Sequence, residues 1–260
     1  MVDSADDLEY NEVHDYDEIA ANLSSWIVDR VEDAGKSGGV LGLSGGLDSA
    51  VTAALIQRAF PENSLAVIMP CGSSADSVED AELVAKEIGI NVKKLQLDEV
   101  YNNLLFKLRK LEPGEDRLAS ANIKPRLRMT SLYYLAARRD ALVIGTDNWS
   151  ELTVGYFTKH GDGGVDIAPL GRLVKNEIRV LARNLGIPER IIEKQPTAGL
   201  WQDQSDEKEM GFSYETLDRY ILTGEAEPEL EEKIEEMKDS TRHKVEPPPV
   251  PAREKIIGGD

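Results

Sequence analysis

Short apolar runs alternate along the chain with longer segments in which apolar residues recur every three or four positions. The short runs predict buried strands, and the three-to-four spacing predicts amphipathic helices. The predicted strands are residues 40–43, 64–69, 91–97 and 141–145. The predicted helices are 17–34, one that opens at 50–56, 76–88, 98–110, 116–139, 175–185, 188–194, 214–222 and 228–240. This alternation, with short connections, predicts an α/β fold with a doubly wound parallel sheet flanked by helices.

Prolines set two expected boundaries within this pattern. Pro125 lies inside the helical segment 116–139 and is expected to kink or divide it. The run from Pro247 to Pro251 favours extended chain. The domain prediction is therefore an α/β domain with a helical C-terminal part over residues 1–245, followed by an extended proline-rich tail over 246–260.

The loop after the first predicted strand reads Ser44-Gly45-Gly46-Leu47-Asp48-Ser49. Its glycines allow backbone N–H groups to approach a ligand closely, and the helix that follows adds unpaired N–H groups and the positive end of its dipole. Together these features favour phosphate. Asp48 would repel phosphate unless Mg²⁺ lay between them. The alternative is a strand–helix turn whose glycines serve packing alone.

A second carboxylate, Glu151, follows another predicted strand. Ligands of doubly wound sheets bind at the carboxyl ends of the strands, where the loops after Leu43 and Gly145 would meet. Glu151 is therefore predicted to complete a Mg²⁺ site with Asp48. Its alternative role is that of an acidic residue in the first turn of a helix, which stabilises the helix dipole.

The charge balance bears on the partners. With 48 acidic and 30 basic residues, the chain has a formal net charge of −18. This argues against nucleic acid, whose phosphates need a basic surface. The basic residues gathered in Lys124-Pro125-Arg126-Leu127-Arg128 stand out against this acidity, although a solvated helix face would explain them equally well.

Cysteine usage and hydropathy bear on the location. Cys71 is the single cysteine, so no intramolecular disulfide can form, and we expect it to be a small loop residue rather than a nucleophile. No apolar run approaches the ~18 residues of a membrane span, and the N-terminus is acidic, unlike a signal peptide. These features predict a cytoplasmic protein.

Several motifs identify a family. The Ser-Gly-Gly-x-Asp-Ser loop resembles the pyrophosphate loop of ATP-pyrophosphatases, which cleave ATP to AMP and diphosphate. With the other motifs, the chain resembles the ammonia-dependent NAD synthetases over nearly its whole length. Those motifs are Asn122-Ile123-Lys124-Pro125-Arg126, Gly145-Thr146-Asp147, Gly155-Tyr156-Phe157-Thr158-Lys159 and Gly161-Asp162-Gly163-Gly164.

The resemblance implies a reaction in two steps. ATP activates the nicotinate carboxylate of deamido-NAD⁺, which gives an NAD-adenylate and diphosphate. Ammonia then attacks the carbonyl and yields NAD⁺ and AMP. The implied cofactor is Mg²⁺ with ATP as co-substrate, and the implied assembly is a homodimer with the dinucleotide at the subunit interface.

The resemblance also implies roles for individual residues. ATP would bind to Gly42, Leu43, Ser44, Gly45, Gly46, Leu47, Asp48, Ser49, Thr146, Lys175 and Thr197. Deamido-NAD⁺ would bind to Arg126, Lys159, Asp166, His243 and Lys244. Mg²⁺ would bind to Asp48 and Glu151. The catalytic residues would be Asp48, Lys175 and Asp166, the last as a hypothetical proton acceptor for ammonium.

Other interpretations stay open at this point. One is another ATP-pyrophosphatase, such as a GMP synthetase-type amidotransferase core or a tRNA thiolase. A thiolase would be expected to have catalytic cysteines and a basic surface. Another is a non-catalytic sensor that binds adenine nucleotides, which would need neither Glu151 nor the basic positions. Ammonia is the expected nitrogen source because glutamine-dependent relatives carry an extra amidase domain, although a separate glutaminase subunit could supply it.

Overall fold

A computed structural model describes residues 14–197, 199, 201 and 205–257. Within those residues, four parallel strands form the central sheet in the order β3–β2–β1–β4. The strands are β1 (Gly39–Gly42), β2 (Ser64–Ile68), β3 (Val92–Lys94) and β4 (Leu142–Val143). In the centre, Val40 of β1 pairs with Leu65 on one side and with Val143 on the other. The predicted parallel α/β sheet is confirmed.

Helices connect the strands, and further helices follow the sheet. They are α1 (Tyr16–Asp33), α2 (Leu47–Ala59), α3 (Ala75–Ile88), α4 (Asp98–Leu111), α5 (Arg117–Ala121), α6 (Ile123–Arg139), α7 (Trp149–Val154), α8 (Lys175–Asn184), α9 (Glu189–Ile192), α10 (Asp206–Met210), α11 (Tyr214–Thr223), α12 (Pro228–Val245) and α13 (Arg253–Ile257). None of the helices in the described part of the chain has the length and apolar composition needed to cross a bilayer. The cytoplasmic location stays a prediction.

Two apolar cores cover the two faces of the sheet. Successive strand residues point to opposite faces, so the fully buried Val40 and Leu41 enter different cores. Leu41 packs with residues of α1, α2 and α8, such as Ile27 and Ile178. Val40 packs on the other face with Leu132 of α6. Because β1 is fixed on both faces, the loop that leaves its carboxyl end starts from a rigid position.

A third apolar cluster organises the C-terminal helices. Val154 of α7, Met210 of α10, Tyr214 of α11 and Ile234 of α12 are each almost completely buried in it. The cluster holds α12 against α7. It therefore brings the distant end of α12 to the same edge of the sheet as the loop after β1.

The helical segment predicted over 116–139 divides at Asn122, three residues before Pro125. Pro125 lies in the first turn of α6, where a missing N–H costs nothing because those N–H groups have no partner within the helix. The preceding helix α5 has its own N-cap, since the Asp116 carboxylate accepts a hydrogen bond from the Ala119 N–H at 2.8 Å. The prediction of a divided segment was correct, but its position was wrong.

The C-terminal region differs from the prediction in two places. Helix α12 continues to Val245 rather than ending at residue 240. The predicted extended tail contains the short helix α13, which begins two residues after Pro251, where no further proline opposes helix formation. The boundary between domain and tail stays a prediction.

Candidate active site

The loop between β1 and α2 is shaped by its two serines. The Ser49 hydroxyl accepts a hydrogen bond from the Ser44 N–H at 3.2 Å and donates one to the Gly46 carbonyl at 3.0 Å. The Gly46 N–H in turn donates to the Ser44 hydroxyl at 3.2 Å. Gly46 is the N-cap of α2, so the unpaired N–H groups of the helix start lie directly after this turn.

Gly45 anchors the same loop to α3. Its φ is +80°, in the left-handed region that favours glycine. A Cβ at this position would lie 2.4 Å from the Ser77 carbonyl oxygen and 2.9 Å from the Ala81 nitrogen. The loop therefore sits directly on the backbone of α3.

A cavity of about 1160 Å³ opens at the carboxyl edge of the sheet beside this loop. Its position agrees with the general location of ligand sites in doubly wound sheets. The predicted site residues that line it are Gly42, Leu43, Ser44, Gly46, Leu47, Asp48, Ser49, Arg126, Thr146, Glu151, Lys159, Lys175, Thr197, His243 and Lys244. The structure thus brings together residues that the sequence spreads over some two hundred positions.

Lys175 lies between the two predicted metal ligands. Its ammonium is 2.5 Å from Asp48 Oδ2 and 3.4 Å from Glu151 Oε1. The lysine is only 4% exposed, and the side chains of both acids are mostly buried. In this structure a buried cation occupies the centre of a pair of carboxylates.

Asn148 fixes the acids from the other side. Asn148 is the N-cap of α7, and its side chain accepts a hydrogen bond from the Glu151 N–H at 2.9 Å. In return, Glu151 Oε2 accepts a hydrogen bond from the Asn148 N–H at 3.1 Å. The Asn148 amide also donates to Asp48 Oδ1 at 3.2 Å. One carboxylate oxygen of Glu151 therefore caps the helix, as the alternative from the sequence expected, and the other faces Lys175. Its role as a Mg²⁺ ligand stays a prediction.

The electrostatics of this cluster favour a divalent cation. Burial raises the pKa of Glu151 to about 7, opposed by Lys175 and assisted by the charge of Asp48. Burial would lower the pKa of Lys175, but Asp48 and Glu151 outweigh it and raise that pKa above its ordinary value. Two carboxylates next to a phosphate-type loop fit Mg²⁺, which prefers one or two carboxylates with substrate phosphates and water. Among the described residues no cluster of three or more acids, histidines or cysteines forms a metal cage.

Asp218 of α11 supports the cluster from behind, although it did not stand out in the sequence. Its Oδ1 accepts from the Ser150 hydroxyl at 2.6 Å, and its Oδ2 accepts from the Asn176 N–H at 2.9 Å. The Ser150 hydroxyl also accepts from the Lys175 N–H at 3.2 Å. This fully buried carboxylate holds the starts of α7 and α8 together, and with them Glu151 and Lys175.

Substitution of Asp218 is expected to change how stability depends on pH. Burial raises the pKa of Asp218 to about 6 from 3.8, against the opposing effect of its hydrogen bonds. Because the folded-state pKa is raised, this group's stabilising contribution is present below pH 4 and is lost as pH rises through 6. The Asp218→Asn variant has no carboxyl group that titrates here, so it does not lose this stability. When the pH rises from 4 to 7, the difference in free energy of unfolding between the variant and the unsubstituted protein should change by about 2 kcal/mol in favour of the variant.

Urea unfolding at the two pH values measures this difference. Asp218→Ala is the control, because it removes both acceptors and leaves a cavity, and it should be destabilised at both pH values. The prediction would be contradicted if the free energies of unfolding of Asp218→Asn and of the unsubstituted protein differed by the same amount at both pH values.

Basic residues gather in another part of the wall of the same cavity. Lys159 donates to the His243 carbonyl oxygen, and the Arg126 guanidinium donates to the Lys159 carbonyl at 3.2 and 3.3 Å. Lys244 donates to the carbonyl oxygens of Gly155 and Phe157 at 2.7 and 2.9 Å. The end of α12 is thereby joined to the start of α6 through the 155–159 segment. The result is a local concentration of positive charge in a strongly acidic chain.

Asp166 makes its hydrogen bonds at the end of β4. Its Oδ2 accepts from the Val143 N–H at 2.7 Å, and its Oδ1 accepts from the Tyr133 hydroxyl at 3.1 Å. Among the described residues it does not belong to the cavity wall, whereas its neighbour Val165 does. The structure thus gives Asp166 a role in securing the end of β4. Its role as a proton acceptor stays a prediction.

Other acids line the cavity instead, and sequence reasoning did not select them as site residues. Asp147 is only 6% exposed, and burial, followed by the charges of Asp162, Glu151 and Asp48, raises its pKa well above the ordinary range. Asp162 also lines the cavity. Both lie inside motifs quoted for the family, which was the available signal.

Thr197 borders the cavity on the segment that follows α9. Its hydroxyl accepts a hydrogen bond from the Gly199 N–H at 3.2 Å. Residues 198, 200 and 202–204 lie outside the described part of the chain. Its contact with ATP stays a prediction.

The sheet, the loop and the cluster of acids and lysine at the sheet's carboxyl edge are typical of the class of α/β nucleotide-binding proteins. The model of the family described as NAD synthase matches residues 19–248. The chain belongs to the NAD synthase family, as its motifs indicated.

Individual relatives agree with this assignment. The chain is 49% identical over 237 residues to an NH(3)-dependent NAD(+) synthetase of Carboxydothermus hydrogenoformans, covering 91% of this chain and 98% of that protein. A solved structure of an NMN synthetase from Francisella tularensis superposes with a TM-score of 0.87 at 33% identity, covering 92% of this chain and 99% of the other. An NH3-dependent NAD synthetase from Campylobacter jejuni, in complex with the nitrate ion, gives 0.75 at 30% identity, with 92% and 100% covered.

Proposed function

We infer that this chain is a C–N ligase that amidates deamido-NAD⁺ with ammonia at the expense of ATP, yielding NAD⁺, AMP and diphosphate. The family match and the curated relatives support this activity, as the sequence predicted. The structural observation that carries it is the acid–lysine–acid cluster beside a phosphate-type loop, inside a cavity of about 1160 Å³.

The cavity has one group of residues that suits each substrate. The N–H groups at the start of α2 and the ammonium of Lys175 would hold the triphosphate of ATP, and Lys175 would stabilise the negative charge that develops on the departing diphosphate. The basic group that includes Arg126 and Lys244 would hold the dinucleotide's anionic groups. Asp48 and Glu151 would hold Mg²⁺, which when bound supplies neutralisation of charge on the triphosphate.

The acids along the cavity wall suit the nitrogen donor. Ammonia is mostly ammonium near neutral pH, and a carboxylate on the cavity wall attracts that cation when it is ionised. Such a carboxylate can then take a proton from the ammonium, as general base catalysis requires. Asp147 and Asp162 border the cavity and are therefore better placed for this step than Asp166.

The direct test is incubation of the protein with ATP, Mg²⁺, deamido-NAD⁺ and ammonium, followed by measurement of NAD⁺ and diphosphate. We expect NAD⁺ and diphosphate in equal amounts, and no diphosphate when the dinucleotide is omitted. A sensor would bind ATP without releasing diphosphate. A parallel reaction with glutamine in place of ammonium should give no NAD⁺, and formation with glutamine alone would overturn the ammonia assignment.

A second candidate substrate is nicotinate mononucleotide. The observation that favours it is the high structural similarity to the protein described as an NMN synthetase. The same assay with nicotinate mononucleotide decides between the two, because kcat/KM for the dinucleotide should exceed that for the mononucleotide if the curated relatives indicate the substrate correctly.

The proposed assembly is a homodimer. Helix α4 has no buried residue in this single chain. Its apolar face consists of Val100, Leu104, Leu108 and Leu111, which are 50%, 37%, 41% and 80% exposed. A continuous apolar face on one helix is typical of a protein–protein interface. This supports α4 as part of a contact between two copies of the chain.

The Leu108→Glu variant should therefore be monomeric where the unsubstituted protein is dimeric, because a charge would be buried at the contact. Light scattering coupled to size-exclusion chromatography measures the mass. The Leu222→Glu variant, which changes an equally apolar and 42% exposed residue of α11, should remain dimeric. Loss of the dimer in both variants, or in neither, would contradict the assignment of α4.

A further inference from the structure

Lys194 follows α9 and reaches the phosphate-type loop from the side of α3. Its ammonium donates to Asp80 Oδ2 at 2.7 Å and lies 3.4 Å from the Gly45 carbonyl oxygen. Its side chain is 28% exposed and borders the cavity. An ammonium has three N–H donors, and these two acceptors within the described residues leave one of them for a ligand.

Asp80 has a second cationic partner that stays when Lys194 leaves. The Arg190 guanidinium donates to Asp80 Oδ1 through Nε at 2.8 Å and also through Nη2. The side chain of Asp80 is only 7% exposed, so without a cation its charge would be costly. Burial would raise the pKa of Asp80, but the hydrogen bonds from Lys194 and Arg190 outweigh it and lower that pKa. Because Arg190 alone can satisfy this carboxylate, Lys194 can be released from it.

The negative charges of the acids and of a bound triphosphate would exceed the positive charge of Lys175 at the loop. Lys175 lies between Asp48 and Glu151, so this cluster carries more negative than positive charge when both acids are ionised. A triphosphate adds several further negative charges. A lysine that already contacts the loop backbone at Gly45 is well placed to offset them.

We propose that Lys194 is an additional phosphate-binding residue, which exchanges Asp80 for the diphosphate portion of bound ATP while Arg190 retains Asp80. This deepens the proposed function and rests on ATP being the co-substrate. The exchange needs only rotation of a flexible side chain. It places a second ammonium near the loop, separate from Lys175.

Calorimetric binding of inorganic pyrophosphate and of ATP with Mg²⁺ to the full-length protein tests the proposal. The Lys194→Met variant should bind both about tenfold more weakly, and its KM for ATP should rise similarly, with KM for deamido-NAD⁺ unchanged. The Lys194→Arg variant should recover part of the affinity. The Lys94→Met variant, which removes a lysine from an exposed ion pair with Glu82, should bind like the unsubstituted protein.

The Asp80→Asn variant separates ligand binding from a structural role. It keeps the shape of the side chain but weakens the competing partner of Lys194, so pyrophosphate should bind as tightly as before or more tightly. Affinity lost in Asp80→Asn to the same extent as in Lys194→Met would show that the pair only braces the loop and would overturn the proposal. Unchanged affinity in Lys194→Met would overturn it as well. Failure of the unsubstituted protein to bind ATP would instead contradict the proposed function.

Discussion

Replacement of Lys175 by methionine is expected to lower kcat/KM for NAD⁺ formation by about 10²–10³-fold, the range found when a preorganised charge is removed from a transition state. Methionine has a similar length but cannot offset the charge that develops on the departing diphosphate. The loss should appear mainly in kcat. Steady-state assays with saturating ATP, Mg²⁺ and ammonium measure it.

The same substitution should have the opposite effect on the metal. In the structure the Lys175 ammonium lies between Asp48 and Glu151, where it competes with any cation for their oxygens. Without it, the two carboxylates should bind Mg²⁺ more tightly in the absence of ATP, even though turnover is lost. Calorimetric titration with Mg²⁺ alone tests this reversal, and equal or weaker binding in Lys175→Met would contradict the assignment of Asp48 and Glu151 as a metal site.

The Lys175→Met variant should also be less stable than a variant that breaks an exposed ion pair. Removal of one partner from a buried ion pair commonly costs about 3–5 kcal/mol. Glu151 can reduce this cost by taking up a proton, because its pKa already lies at about 7. The Lys36→Met variant, which breaks an exposed pair with Asp140 at 2.9 Å, should lose less than about 1 kcal/mol.

The meeting of Asp48 and Glu151 was predictable because of a general property of parallel sheets. Each acid follows a strand, and the carboxyl ends of neighbouring parallel strands share one edge. Strands β1 and β4 are indeed neighbours, so the loops that leave them converge. The hydrophobic pattern was therefore enough to predict that these two distant acids lie close together, without any knowledge of side-chain contacts.

The role of Asp218 was not predictable in the same way. Nothing in its local sequence distinguishes it from a solvated acid on the polar side of a helix. Its partners, Ser150 and Asn176, lie in other elements, and they meet it only after α11 has packed against α7 and α8. Roles that depend on packing between helices need the tertiary structure.

Helix α4 shows a related limit of pattern reasoning. Its three-to-four spacing correctly predicted a helix, but the same spacing describes a face that packs in the core and one that meets another subunit. In the structure this face is exposed.

The boundary at Asn122 was missed for a local reason, since Pro125 is compatible with a first helical turn as well as with a break.

Gly45→Ala should be the most disruptive of the conservative changes in the loop. The added Cβ would lie 2.4 Å from the Ser77 carbonyl oxygen, and this atom belongs to the backbone of α3, which cannot move cheaply. The residue would also have to keep a φ of +80°, which costs about 1–2 kcal/mol outside glycine. Together with the cost of overpacking, the free energy of unfolding should fall by about 2–5 kcal/mol.

The adjacent Gly46→Ala variant is the matched control. Gly46 has a φ of −95°, which any residue adopts, and the nearest atom to its added Cβ is the Ser44 hydroxyl oxygen at 3.3 Å. That hydroxyl can shift by a few tenths of an ångström, so stability should fall by less than about 1 kcal/mol. Gly46 borders the cavity, so its methyl group should weaken ATP binding without unfolding the protein.

Urea unfolding and calorimetric titration with ATP and Mg²⁺ separate the two glycines. Gly45→Ala should lose stability and, because the loop is displaced from α3, ATP affinity as well. Gly46→Ala should lose ATP affinity alone. If the two variants unfold at the same urea concentration, the loop does not rest on α3 as described, and the contact between Lys194 and the Gly45 carbonyl loses its basis at the same time.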